Sequence, residues 1–221
     1  MQIDINTSAD IAQLINEAKS IAIIPSKIAG LDAYAAGAAL NHMLKEIGKP
    51  VHFIYPGALP EGSENIISSL DIVNTLQERD LVVSVNYQGT NVESVKYNTE
   101  DNILTFRLGP IPADFDAKSN VHAKVSTYEF DLCFVIGAQN LENLGSTYEV
   151  LQSEIHASKI VNIDITKSNT RFGVVNMIEP EVDSLSYLIF QKAAVWDLPV
   201  PKPAALALLR GMSIGAQNLI L

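Results

Sequence analysis

A doubly wound α/β fold, with a mostly parallel sheet of about five strands and helices on both faces, is what this sequence predicts, and three observations predict it. Short apolar runs of strand length alternate with segments of helical period. The runs at 21–24 and 132–136 are apolar without alternation, as strands covered on both faces are, and 160–163 is apolar but for Asn162. The 221 residues suit one domain, and a chain of that length buries about 70% of its unfolded surface without a disulfide or metal staple.

Each element has a local cause. Asn6-Thr7-Ser8 predicts the cap of a first helix running to about Lys19. Residues 21–24, Ile-Ala-Ile-Ile, form the first strand, which Pro25 ends. From Leu31 to Ile47 the apolar positions Ala36, Leu40, Met43, Leu44 and Ile47 follow helical spacing, and Gly48 suits the position after the helix end. Residues 51–55 make the second strand, stopped by Pro56-Gly57, and residues 81–85 the third.

Residues 92–97 and 103–108 then alternate apolar and polar around Thr99-Glu100-Asp101-Asn102, which predicts an antiparallel hairpin inserted outside the main sheet, at about 88–126. The α/β rhythm resumes with a strand at 132–136, a helix from Leu141 to about Glu154 and a strand at 160–163. A helix at about 182–195 is broken by Pro199, Pro201 and Pro203, and an Ala/Leu-rich helix begins near Ala204. No repeat or long linker interrupts this, so a single domain is expected.

Composition narrows the partners. Fifteen Lys and Arg against 25 Asp and Glu give a net charge of −10, and no five-residue window holds more than two basic residues. Proteins that grip long nucleic acid through its phosphates present a basic face, so that class is excluded. The first twenty residues lack the basic flank and apolar run of a signal peptide, and no stretch reaches the roughly 18 apolar residues of a membrane span. The single cysteine, Cys133, permits no intrachain disulfide, and a reducing, cytoplasmic setting is expected.

In open α/β sheets, ligands bind at the carboxyl ends of the strands, so the loops there carry the functional expectations. Asp32-Ala33-Tyr34-Ala35-Ala36-Gly37-Ala38-Ala39-Leu40, on the helix after the first strand, resembles the first motif of the DHH phosphoesterases. That superfamily includes RecJ-like exonucleases, nano-RNases with pAp phosphatase activity and manganese-dependent inorganic pyrophosphatases. Val161-Asn162-Ile163-Asp164, followed by Ser168-Asn169-Thr170-Arg171-Phe172-Gly173-Val174-Val175-Asn176, resembles the segment that gives the family its name. Residues 131–140 resemble the strand of the second motif, and residues 208–213 the helix leading to the fourth.

The resemblance implies two divalent cations, usually Mn²⁺, which activate a bridging water and clamp phosphoryl oxygens. Hard ions of this kind take carboxylate and imidazole ligands. The family's His, Asp and Asp of the first motif fall on Ser26, Gly30 and Asp32. Its bridging Asp falls on Gly137, its two histidines on Ile165 and Thr166, and the Asp of the fourth motif near Gly215. Asp32 alone keeps a ligand of the expected kind; Asp164 is also kept, in a position that mainly orients neighbours. Gly and Ile offer no side-chain donor, and Ser or Thr hydroxyls are weak ligands for Mn²⁺. The expectation is a retained fold with a lost two-metal site and no cofactor.

Rescue ligands are not in view. His42, His52, His122 and His156 show no pair at metal spacing, Cys133 fits a small buried hydrophobe, and the G-x-S-x-G, Walker A and G-x-G-x-x-G motifs are absent. Lys27, Lys167 and Arg171 would flank the crevice. They either hold a phosphate or nucleotide without metal, beside the free N–H groups of the helix near Leu31, or are simply solvated and paired. Asn169 and Asn176 are expected to fix turns, and Asp32 to cap its own helix. The carboxy-terminal domain that closes over substrate in catalytic relatives is expected to be absent. A non-catalytic binding or assembly domain, engaging itself or a protein partner, is therefore the first expectation. The alternative is a metal-dependent phosphoesterase acting on short oligonucleotides or nucleotide phosphates.

Overall fold

The computed structural model describes residues 7–67, 70–76, 80–88, 92–126 and 128–218. In chain order come α1 (Thr7–Glu17), β1 (Ile21–Pro25), α2 (Gly30–Glu46), β2 (Val51–Ile54), α3 (Glu64–Ile67) and β3 (Ile72–Val73). Next are β4 (Asp80–Val85), β5 (Ser94–Glu100), β6 (Ile103–Gly109), α4 (Ala117–Asn120) and β7 (Val121–Ser126). Then follow β8 (Leu132–Ile136), a 3₁₀ turn (Leu141–Leu144), α5 (Ser146–Ala157), β9 (Lys159–Asp164), β10 (Val175–Ile178), α6 (Leu185–Ala193) and α7 (Lys202–Asn218). Asn6 of the expected first cap and the terminal Leu219-Ile220-Leu221 lie outside the described residues. Among the described residues no helix is long and apolar enough to cross a membrane.

Six strands form one parallel sheet in the order β10-β9-β8-β1-β2-β3. The unbroken apolar runs have the expected cause, since side chains point alternately to opposite faces and both faces are covered. Ile21, Ile23, Phe134 and Ile136 pack into one core with α2 and α6 residues such as Leu40, Leu188 and Ile189. Ala22, Ile24, Cys133 and Val135 pack into a second core with Leu151 and Ile155 of α5. Cys133 is a fully buried hydrophobe, and burial pushes its thiol pKa up. The alanines of α2 keep that helix slim enough to be buried on all sides. The order of strand addition reverses between β1 and β8, with β2 and β3 on one side and β9 and β10 on the other, so the switch point of the sheet lies at their carboxyl ends.

Two compact units emerge, residues 79–126 and the remainder of the chain, so the inserted segment is larger than the expected hairpin. The strand expected third in the main sheet is β4, and it pairs antiparallel with β7 instead, from Asp80↔Ser126 to Val85↔Val121. The place beside β2 belongs to Ile72–Val73. A short apolar run does not distinguish a buried parallel strand from one rung of a small antiparallel ladder. Leu81 and Val83 remain 67% and 46% exposed. The helix expected from Leu141 is also split, because Gly145 at φ +57° separates the 3₁₀ turn from α5.

A carboxylate staples the start of the sheet. Asp131 accepts from the backbone N–H of Lys19 (3.0 Å) and of Ser20 (3.2 Å), tying the turn before β1 to the start of β8. Partial burial raises its pKa, but the donors at Lys19 and Ser20 outweigh this and hold it below the ordinary carboxylate value. A depressed folded-state pKa gives stability that is present above the unfolded value and lost as pH falls through the folded one. Asp131→Asn should therefore melt below wild type near neutral pH, with the gap closing below about pH 4. A constant gap across a pH series of melts would refute this assignment.

Candidate functional site

A crevice of about 440 Å³ opens at the carboxyl ends of β1, β8 and β9. Gly30, Asp32, Gly137, Asp164, Ile165 and Thr166 line it together, and Ile214, the neighbour of Gly215 on α7, closes one side. Positions far apart in sequence thus meet at one crevice. Ser26 does not reach the cavity: it is buried, and its Oγ accepts from the N–H of Ile28 at 3.3 Å. Ile28, Leu31 and Leu185 supply apolar walls, with Gln139, Asn143 and Asp183 as further polar lining. Among the described residues that line it there is no Lys, Arg or His.

Asp32 is fully engaged. Its carboxylate accepts from the Ser184 hydroxyl (3.0 Å), the Leu185 N–H (2.7 Å) and the Ser186 N–H (3.0 Å). These are the unpaired donors at the start of α6, whose own N-cap Ser184 accepts from the N–H of Tyr187. The expectation that Asp32 caps its own helix is thus corrected, for α2 begins without a side-chain cap and Asp32 caps α6 instead. Ser184 directly before an apolar helical run is a legible cap signal. The second capping group, 152 positions away in sequence, has no such signal.

Asp164 is equally occupied. One oxygen accepts from the Ile165 N–H (2.8 Å) and the Thr166 hydroxyl (3.1 Å), the other from the Asn169 amide (2.8 Å). The Ser-Asn-Thr run is turn chemistry, as expected for Asn169 and Asn176. Asn169 also donates to the Ala138 carbonyl (2.9 Å) and accepts from the Arg171 N–H (2.8 Å). Buried Asn162 donates to both Asn169 (2.7 Å) and Asn176 (3.0 Å), and Asn176 in turn bonds the backbone of Gly173. Every member of this network has partners, so it fixes the loop after β9 against the sheet.

The three expected anion-binding cations are not gathered at the crevice. Lys27 Nζ lies 5.8 Å from the centroid of the Tyr55 ring, and Lys167 pairs with Glu181 at 3.6 Å on the open surface. Arg171 is exposed in the turn, at φ +54°.

The donor set does not fit a pair of hard dications. Both oxygens of Asp32 already accept from the start of α6, and the Thr166 hydroxyl is a weak ligand for such ions. Gly30 and Gly137 sit at φ +62° and +74°, in the left-handed region that favours glycine over residues with a Cβ. At Gly137 even a Cβ would meet Ala29 Cβ at 2.7 Å and Leu185 Cδ1 at 2.9 Å. Among the described residues no three His, Cys, Asp or Glu side chains are grouped to hold a metal.

The parallel sheet, its flanking helices and the crevice at the switch point define an open, doubly wound α/β fold. The chain is similar to the crystal structure of an exopolyphosphatase-related protein from Bacteroides fragilis, with a TM-score of 0.63 and 17% identity over 98% of this chain and 52% of that one. At that identity the likeness establishes the fold alone, and the chain spans about half the length of that protein. No family model and no curated protein matches the sequence.

Proposed function

We propose that this chain is a catalytically degenerate DHH phosphoesterase-like domain, one that binds a partner or assembles and does not hydrolyse phosphate esters. The observation that carries this reading is the engagement of Asp32. The one carboxylate at an expected ligand position is a cap for α6, with three donors within 3.0 Å. One carboxylate cannot offset the desolvation of two dications, and a carboxylate already satisfied offers even less. Among the described residues that line it, the crevice also has no Lys, Arg or His for phosphoryl oxygens, while Asp32, Asp164 and Asp183 all line it.

Calorimetric titration with millimolar Mn²⁺, alongside a dinucleotide hydrolysis assay, tests the reading. No saturable manganese binding and no chelator-sensitive turnover are expected. Two-site manganese binding, or turnover abolished by EDTA, would instead establish a metal-dependent phosphoesterase acting on short oligonucleotides or nucleotide phosphates.

A further inference from the structure

Within the unit formed by residues 79–126, β5 and β6 pair antiparallel from Ser94↔Gly109 to Glu100↔Ile103. Asp101 and Asn102 turn the chain with φ of +51° and +63°, the two positive values of a tight two-residue hairpin turn. Such a turn pins the register, and register decides which side chains share a face. Here Val95 lies opposite Leu108, Tyr97 opposite Phe106 and Thr99 opposite Leu104, all on one face. The other face carries Lys96 opposite Arg107 and Asn98 opposite Thr105.

The apolar face is open. Val95, Tyr97, Leu104, Phe106 and Leu108 are 38–74% exposed. A two-stranded hairpin alone is marginal in water, and hairpins become stable by packing one face against something. With aromatic side chains of roughly 150–250 Å² and smaller aliphatic ones, these five expose about 500 Å². A patch of that size matches the largest on a typical monomer, and such patches are often functional.

We propose that this face is a self-association surface, covered by the same face of a second copy of the chain. Two features of the molecule select that occupant. The first is charge. Residues 79–126 hold five basic and six acidic residues, a net of −1 within the chain's −10, so the remaining residues carry −9. Two copies that meet through the inserted unit bring together the one part of the molecule with almost no self-repulsion. The second is area. A symmetric, face-to-face pair removes about 1,000 Å² from water, the lower bound for a specific interface, with paired aromatics at its centre. A two-fold axis places each Tyr97–Phe106 pair against its equivalent.

Sedimentation velocity of the full chain, from low to high micromolar concentration, tests this. Wild type is expected to dimerise reversibly. Phe106→Lys should weaken the dimer by about tenfold or more, as loss of a central aromatic does. Ile103→Lys, on the opposite face of the same hairpin, should leave it intact. Hydrogen exchange on the unaltered chain gives a second readout, with protection of residues 94–109 rising with concentration. The proposal is overturned if wild type is monomeric throughout, as it would be were this face covered within its own chain. It is equally overturned if Phe106→Lys leaves the dimer unchanged, or if Ile103→Lys weakens it as much. The surface is independent of the crevice reading, because manganese titration decides that question and sedimentation decides this one.

Discussion

Gly137→Asp, which puts a carboxylate where the sequence resemblance would place a bridging metal ligand, is expected to cost about 2–5 kcal/mol of stability and to gain no manganese binding. Two effects add. Gly137 is at φ +74°, where a residue with a Cβ is strained by about 1–2 kcal/mol. The new Cβ would also sit 2.7 Å from Ala29 Cβ, 2.9 Å from Leu185 Cδ1 and 3.2 Å from Ala33 Cβ, and overpacking of that kind costs about 1–3 kcal/mol. Two of those atoms belong to residues at the start of α2, which cannot retreat without disturbing the fully buried helix behind them. Urea denaturation should show the loss as a lower midpoint, and thermal unfolding as a fall in melting temperature on the order of 10 °C. A variant as stable as wild type that also bound Mn²⁺ would mean that the site is dormant and not filled.

Asp32→Ala is the complementary experiment, with an expected loss of about 2–4 kcal/mol. The substitution removes an acceptor that serves one hydroxyl and two backbone N–H groups, and hydrogen bonds to a charged group are the stronger kind. Leu185 and Ser186 are both buried, so their N–H groups would not regain full solvation. The loss should be the same with EDTA as with Mn²⁺, because the carboxylate serves α6 and not an ion. Stability of the wild type that rises with Mn²⁺, and a variant that fails to respond, would point back to a metal ligand.

The fold was legible where the physics is local. The runs at β1, β8 and β9, the helix at 30–46 and the hairpin turn at Asp101-Asn102 are written in composition and period, and the structure places them within a residue or two. What was not legible depends on pairing. β3 has two residues and β10 has four, too short to show a period, and each exists because a neighbouring strand offers an open edge. β4 reads like a core strand until β7 is seen to claim it. At the crevice, the positions of Gly30, Gly137, Ile165 and Thr166 followed from motif order. The filling of the space by Ala29 and Leu185 did not, nor did the capping of α6 by Asp32, since both are contacts between distant segments.

The division into two units has a consequence for cooperativity. The main unit is a sheet buried on both faces, whereas the inserted one rests on two separate two-stranded ladders with much of their surface wet. Segments with few buried contacts open at lower free energy than the body that carries them, so the inserted unit is expected to open before the main unit, in a transition of its own. Trp196, the only tryptophan, is 2% exposed and belongs to the main unit. Its emission follows the melting of the six-stranded sheet and stays blind to the earlier fraying of residues 79–126.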